Sequence, residues 1–173
     1  MITLDSARLK MRPWEQRDAT FVFDMYSRWD VQRFLGHAPE VMQTLGEAER
    51  LTKKLWQVDD PLLGYWAVEL ADGTVLGTVM LQGIRLSGTA AQSNEIEIGW
   101  HFHPDYWGHG YAVEAASRVL KHAFDSQVNR VIAVTLEGNT PSERLCQRIG
   151  MKNLGKTSRY YDAEYTLFEA TRL

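Results

Sequence analysis

Residues 97–115 constrain the fold more than any other segment, and they read Glu-Ile-Gly-Trp-His-Phe-His-Pro-Asp-Tyr-Trp-Gly-His-Gly-Tyr-Ala-Val-Glu-Ala. Apolar and polar side chains alternate over residues 95–103, which is typical of a β-strand with one core face and one polar face. A turn with two glycines follows and opens directly into an amphipathic helical pattern. A strand, a glycine turn and a helix in immediate succession indicate a domain that contains both element types.

The rest of the chain predicts a mixed α/β fold of the α+β type, with about seven strands in one twisted mixed sheet and about four helices, in the order βααβββαβαββ. The turn signal Ala-Asp-Gly-Thr at residues 71–74 predicts a hairpin. A continuous apolar run at residues 131–136 predicts a strand buried on both faces and paired in parallel. Strands are expected at residues 8–12, 65–70, 75–84, 95–103, 131–136, 152–160 and 164–171.

Helices are expected after Pro13, over residues 46–58, from near Gly110, and after Thr140, which is a candidate N-cap. Residues 29–44 lack a clean period and predict a loop or a broken helix. No linker divides the chain of 173 residues, so we expect one domain over residues 1–173.

Composition excludes several classes of protein. With 19 basic and 22 acidic residues the formal net charge is −3, which argues against binding to nucleic acid. No stretch approaches the roughly 18 apolar residues of a membrane span, and no signal peptide is recognisable, so we expect a cytoplasmic protein. The single cysteine, Cys146, is interpreted as core packing. No metal is expected.

The glycines at positions 108 and 110 allow close approach of a ligand to the backbone at the start of a helix. Unpaired N–H groups in the first helical turn make such a terminus an anion site that suits a pyrophosphate, although a plain turn explains two glycines equally well. A Rossmann site is disfavoured because Val113 stands where its third glycine belongs. No Walker A sequence is present.

Three segments together resemble the GCN5-related N-acetyltransferases, specifically the branch that includes the ribosomal-protein N-terminal acetyltransferases. Residues 107–112, Trp-Gly-His-Gly-Tyr-Ala, are similar to the acyl-CoA pyrophosphate loop, with Trp107 in place of the usual Gln or Arg. Residues 139–142, Asn-Thr-Pro-Ser, resemble the family's Asn-x-x-Ser helix start. Residues 97–104 resemble the strand that opens to admit the pantetheine arm.

The resemblance implies acetyl-CoA as co-substrate and an amine as acceptor. It places the pyrophosphate on the backbone of residues 108–112, and it assigns the pantetheine arm to Phe102, His103 and Asn139. It also assigns to Ser142 both a contact with the cofactor and the protonation of the departing thiolate. The residues expected to bind the cofactor are therefore Phe102, His103, Gly108, His109, Gly110, Tyr111, Ala112, Asn139 and Ser142.

Transfer to an amine requires the uncharged form, so a group must accept a proton. Glu97 lies on the polar face of its strand and is the first candidate for the general base, acting through a water molecule; Glu95 and His101 share that face and are the alternatives. The acceptor is expected between the N-terminal helices and the closing strands. Its candidate contacts are Trp29, Phe34, His37, Tyr160 and Asp162, with Tyr161 beside them.

The predicted function is therefore transfer of the acetyl group of acetyl-CoA to a protein N-terminus or a small-molecule amine, by direct attack in a ternary complex. An alternative is a non-catalytic acyl-CoA-binding sensor or partner module. The helix after Asn139 lacks the tyrosine that many family members use as an acid, which keeps that alternative open. The expected partners exclude membranes and nucleic acid, and a homodimer is left open.

Overall fold

A computed structural model describes residues 1–36 and 38–172. The strands are Leu4–Asp5 (β1), Leu9–Pro13 (β2), Gly64–Leu70 (β3), Val75–Arg85 (β4), Gln92–Phe102 (β5), Arg130–Thr135 (β6), Lys152–Thr157 (β7) and Tyr165–Thr171 (β8). They form one sheet in the order β1-β2-β3-β4-β5-β6-β8-β7. The predicted mixed α/β fold is confirmed.

Five α-helices accompany the sheet in the part of the chain that the structure describes: Ala19–Tyr26 (α1), Trp29–Gln32 (α2), Leu45–Trp56 (α3), Tyr111–Asp125 (α4) and Thr140–Arg148 (α5). The prediction missed β1, which is 2 residues long and too short for a hydrophobic period. The four-residue α2 lies within residues 29–44, where we expect a loop or a broken helix. The N-cap of α5 is Asn139 rather than Thr140, because the Asn139 side chain accepts the hydrogen bond from the backbone N–H of Ser142.

The central feature of the sheet is the junction of β5 and β6. This pair is parallel, as the apolar run of β6 predicted, whereas the other neighbouring strands are antiparallel. Described pairing joins Ile96 to Val131 and Glu97 to Ile132, although β5 continues to Phe102 and β6 to Thr135. The two strands therefore diverge and leave an open cleft between their carboxyl ends.

Each face of the sheet has its own core. The helices α4 and α5 pack on the face that carries Ile98 and Phe102, where Cys146 is fully buried as predicted. Helices α1 to α3 cover the opposite face around Trp14 and Tyr26. Because successive strand residues point to opposite faces, the side chains of Glu97 and His101 lie on the side of α1.

A buried ion-pair cluster joins β2, β3 and the turn before α1. The Arg12 guanidinium donates to Asp18 at 2.7 Å and to Glu69 at 2.7 Å. All three residues are at most 9% exposed. A single cation thus holds two carboxylates beneath the helical layer.

None of the helices in residues 1–36 and 38–172 is both long and apolar enough to cross a membrane. Within the same residues, no group of three or more His, Cys, Asp or Glu side chains is arranged to hold a metal ion.

Candidate functional site

The glycine turn shapes the N-terminus of α4. Gly108 and Gly110 have φ angles of +81° and +79°, a left-handed conformation that L side chains rarely adopt. Gly110 is the N-cap of α4, and no side chain caps the first turn. The leading N–H groups of the helix, from Tyr111 onward, are therefore left for an outside acceptor. This turn lines a cleft of about 410 Å³.

Arg8 adds a positive charge at the same helix terminus. Its guanidinium donates to the His109 carbonyl oxygen at 3.2 Å and to Glu114 Oε2 at 2.7 Å. It also lies 4.7 Å above the centre of the Tyr111 ring. Sequence reasoning missed Arg8, since a residue in the turn between β1 and β2 carries no local signal of a contact with a distant turn. His109 itself is exposed and stacks on Tyr111, with the ring centres 5.6 Å apart.

Polar groups line the opening between β5 and β6. The Trp100 indole N–H lies 3.4 Å from Ser142 Oγ, and Ser142 stands in the first turn of α5. Asn139 lines the same opening. The Thr135 hydroxyl is buried there and has no hydrogen-bond partner among the residues described. Because buried polar groups are normally hydrogen-bonded, this hydroxyl fits a cleft that takes a polar ligand.

At the end of β5, some of the backbone groups predicted to bind the pantetheine arm already have partners within the protein. The His103 backbone N–H donates to the Leu76 carbonyl oxygen at 3.0 Å, so it is engaged with β4. The Phe102 carbonyl oxygen accepts a hydrogen bond from the Trp107 indole at 2.8 Å. Alternate residues of a strand direct their backbone groups to opposite sides. The backbone of Trp100 therefore points toward the open edge, as that of Phe102 does.

Glu97 occupies a second cavity of about 370 Å³ on the α1 face of the sheet. Its Oε2 accepts a very short hydrogen bond from the Tyr161 hydroxyl and one from Gln82 Nε2 at 3.0 Å. No described group donates a hydrogen bond to Oε1. This oxygen is not fully buried, so it is accessible from the cavity. Burial raises the pKa of Glu97, and the two hydrogen bonds oppose that rise only in part.

Tyr161 reaches Glu97 from a strained turn between β7 and β8. Tyr161 and Asp162 have φ angles of +56° and +59°, which costs free energy in residues other than glycine. Arg85 holds the turn by a 2.7 Å ion pair with Asp162, and its guanidinium lies 5.6 Å from the centre of the Tyr161 ring. The predicted acceptor contact Asp162 is thus paired with Arg85.

The neighbouring Tyr160, which we predicted as an acceptor contact, is fully buried and lines neither cavity. Its hydroxyl donates to Glu95 at 2.7 Å. The role predicted for Tyr160 is better suited to Tyr161, because the turn directs the two side chains into different environments. Sequence reasoning noted both tyrosines, and nothing in the sequence separated them.

The negative charge of Glu95, one of the alternative bases, is balanced by two arginines. It forms ion pairs with Arg130 at 2.5 Å and with Arg159 at 3.1 Å. Burial alone would raise its pKa, but the hydrogen bonds from Tyr160 and Arg130 and the positive charges lower it overall. Glu95 lines neither cavity.

His101, the other alternative, lies where the two cavities meet and lines both. Its Nδ1 is 2.7 Å from the hydroxyl of Tyr26, a buried residue of α1. Burial lowers the pKa of His101 to about 4, so the imidazole is neutral at pH 7.

The remaining predicted acceptor contacts are dispersed. Phe34 lines both cavities. Trp29 is 56% exposed on α2 and lines neither cavity. His37 lies outside the described residues.

Comparisons with known proteins identify relatives of this chain and solved structures that share its fold. The chain is 26% identical over 160 residues to the uncharacterised N-acetyltransferase YoaA of Bacillus subtilis, which covers 91% of this chain and 86% of that protein. An acetyltransferase of the GNAT family from Bacillus anthracis has the same fold, with a TM-score of 0.80, 24% identity and 98% coverage of both chains.

The fold is also shared with RimL, a ribosomal L7/L12 α-N-protein acetyltransferase solved in complex with coenzyme A. That structure has a TM-score of 0.78 and 11% identity, and it covers 99% of this chain and 98% of its own. The model of the acetyltransferase (GNAT) domain matches residues 8–152. The glycine turn, the terminus of α4 and the split between β5 and β6 suit acetyl-CoA. Because the family model also matches most of its length, the chain belongs to the GNAT acetyltransferase family.

Proposed function

We propose that this N-acetyltransferase moves the acetyl group of acetyl-CoA directly to a primary amine held in the Glu97 cavity. The observation that carries the proposal is the meeting of the two cavities where β5 and β6 diverge. Trp100, His101, Asn139 and Ser142 line both. Acetyl-CoA in one cavity and the amine substrate in the other therefore meet, and the acetyl group passes between them without a covalent enzyme intermediate.

The cofactor site fits the groups present. The first-turn N–H groups of α4, the left-handed turn of Gly108 and Gly110, and the Arg8 charge suit a pyrophosphate. The open backbone of Trp100, together with Asn139 and the unpaired Thr135 hydroxyl, suits the amide groups of the pantetheine arm. Acetyl-CoA supplies an activated thioester. We assign its contacts on β5 to Trp100 and Phe102 rather than to His103.

Glu97 is the general base in this proposal. Its Oε1 opens to the cavity while Oε2 is fixed by Tyr161 and Gln82, so one oxygen is free to accept the amine proton, directly or through water. The raised pKa of Glu97 brings it closer to the pKa of an amine than that of an ordinary carboxylate. As the amine nitrogen bonds to the acetyl carbon, the carbon–sulfur bond breaks and Ser142 donates a proton to the sulfur. Ser142 regains a proton from solvent, and Glu97 releases to solvent the proton that it took from the amine.

Titration calorimetry of acetyl-CoA against the protein tests the cofactor site. Gly110→Trp places bulk and backbone strain at the N-terminus of α4, and we expect it to abolish binding. Gly88→Trp is the matched control, because Gly88 has a φ of +73° and no neighbour near its Cβ in an exposed turn. Unchanged binding by the Gly110 variant contradicts the placement.

An assay of coenzyme A release separates the enzyme from the alternative binding module. Release with a broad panel of peptides, polyamines and small amines supports transfer. Acetyl-CoA binding with no release across the panel supports the module. The cytoplasmic location stays a prediction. The oligomeric state, for which a homodimer was left open, is measured by sedimentation analysis.

A further inference from the structure

The hydrogen bond between Tyr26 and His101 determines which nitrogen of the imidazole carries hydrogen. The two atoms, Tyr26 Oη and His101 Nδ1, are 2.7 Å apart. Tyr26 is 8% exposed, and its hydroxyl has no other partner in the described part of the chain. If Nδ1 carried the hydrogen, the hydroxyl hydrogen would be buried without an acceptor, which is costly. Tyr26 therefore donates to Nδ1, and the hydrogen of the neutral ring lies on Nε2.

The Nε2–H group is free to act on a ligand. None of the described residues accepts a hydrogen bond from it, and Nε2 is not fully buried. It is therefore open to the cavities that His101 lines. In this tautomer Nε2 is a donor and has no lone pair with which to accept a proton. His101 thus does not compete with Glu97 as the base.

The Nε2–H group of His101 lies on the side of the site where the amine substrate is proposed to bind. Its side chain shares a sheet face with Glu97 and packs against α1, whereas Trp100 and Ser142 lie on the opposite face with α5. Gly99 stands between Glu97 and His101, and the side chain of Met80 packs over it. The cavity wall therefore offers an acceptor, Glu97 Oε1, and a donor, His101 Nε2–H, with the apolar side chain of Met80 between them.

We infer that His101, held as its Nε2–H tautomer by Tyr26, donates a hydrogen bond to an oxygen of the acceptor substrate. The preferred acceptor is accordingly an amine that also carries a carbonyl or carboxylate oxygen, as amino-acid derivatives and peptide N-termini do, rather than a bare alkylamine. This inference rests on the proposed function, since it places the amine at Glu97. Tyr26 is a positioning residue in this arrangement.

Nitrogen-15 NMR of the imidazole rings in the ligand-free protein tests the tautomer without any turnover. The His101 signals, assigned by their loss in His101→Gln, are expected to show hydrogen on Nε2 and none on Nδ1. Tyr26→Phe is expected to let the other tautomer appear. Tyr160→Phe, which removes a buried hydroxyl from Glu95 instead, is expected to leave the His101 signals unchanged. Hydrogen on Nδ1 in the unmodified protein overturns the inference.

Acetylation of paired amines tests the contact. Leucinamide is compared with isopentylamine, and 4-aminobutanamide with propylamine, so that each pair differs by one carboxamide at a different spacing. A leucine-initiated tripeptide amide distinguishes a peptide source from a free amino-acid derivative. We expect at least one pair to favour the amide. His101→Leu should reduce that preference about tenfold, as the loss of one hydrogen bond does, and His101→Gln should restore part of it.

The outcomes separate this inference from the proposed function. If no amine is acetylated while the tautomer is the expected one, the proposed function fails. If amines are acetylated and His101→Leu leaves the preference in both pairs unchanged, the contact with His101 is wrong and the proposed function stands. Circular dichroism of each variant shows that it is folded.

Discussion

The hydroxyl of Tyr161 donates its hydrogen to Oε2 of Glu97, so that a strained turn between β7 and β8 is joined to the middle of β5. This contact stabilises the charged carboxylate of Glu97 against the burial that raises its pKa. It leaves Oε1 open to the cavity, and the proposed chemistry depends on that free oxygen.

Removal of the Tyr161 hydroxyl should shift the pH dependence of the enzyme. A general base works when deprotonated, so kcat/KM should rise with pH through the raised pKa of Glu97. Tyr161→Phe takes away a hydrogen bond to the carboxylate, which raises that pKa further and moves the rise to higher pH. Tyr160→Phe is the control, since the Tyr160 hydroxyl donates to Glu95 and not to Glu97 or Gln82. An unmoved profile in Tyr161→Phe would show that Glu97 is not the base.

Loss of the carboxylate itself should be more severe. Glu97→Gln keeps the shape of the side chain and cannot accept a proton, so we expect kcat to fall about 100-fold or more with little change in acetyl-CoA affinity. Steady-state kinetics and calorimetry measure the two quantities. The corresponding change at the alternative base, Glu95→Gln, breaks ion pairs with Arg130 and Arg159 and is expected to lower thermal stability rather than to abolish turnover.

Ser142→Ala tests the proton donor to the departing sulfur. We expect kcat to fall roughly tenfold to a hundredfold, while the helix remains capped because Asn139 accepts from the backbone N–H of residue 142. Thr140→Ala in the same helical turn is the control, since Thr140 is exposed and lines neither cavity. Equal rates for both variants would remove Ser142 from the mechanism.

Arg8 should govern affinity for the cofactor. Arg8→Gln removes the cation beside the α4 terminus and leaves Glu114 uncompensated there, so KM for acetyl-CoA should rise about five- to tenfold. KM for the acceptor amine should not change, because Arg8 lies away from the Glu97 cavity. Arg118→Gln, which loses a bond from α4 to the Asp5 carbonyl oxygen, provides the comparison. A similar rise in both variants would point to general disturbance of α4.

The buried Arg12 should be important for stability alone. Arg12→Leu leaves the carboxylates of Asp18 and Glu69 without their cation, and the free energy of unfolding should fall by about 3–5 kcal/mol. Arg17→Leu breaks an exposed pair with Glu15 and should cost about 1 kcal/mol at most. Chemical denaturation measures both, and comparable losses would contradict the importance of burial.

Local sequence patterns predicted most of the elements. The hairpin at residues 71–74 and the start of α4 after Gly110 depend on interactions within a few residues, and both are present. The parallel pairing of β6 is also present, and the apolar run that predicted it is local although the pairing itself is not. The two-residue β1 was missed, because it does not span a full period of hydrophobic residues. The bounds of the four-residue α2 were not predicted, although it lies in the segment where a loop or a broken helix is expected.

The candidate site likewise has a part that the local sequence predicted and a part that it did not. Its local part, the glycine turn and the polar face of β5, could be predicted because glycine conformation and strand alternation are properties of neighbouring residues. Contacts across the fold could not be predicted: Arg8 meets the α4 turn, Tyr161 rather than Tyr160 meets Glu97, and Tyr26 meets His101.

The sequence by itself thus determined the family, the mixed sheet and the likeness of one turn to an acyl-CoA site. Only the tertiary structure decided which carboxylate is buried and unpaired on one oxygen, and which nitrogen of His101 faces the cavity. The physical reason is that protonation and hydrogen bonding depend on burial and on partners brought together by packing, and such partners are distant along the chain.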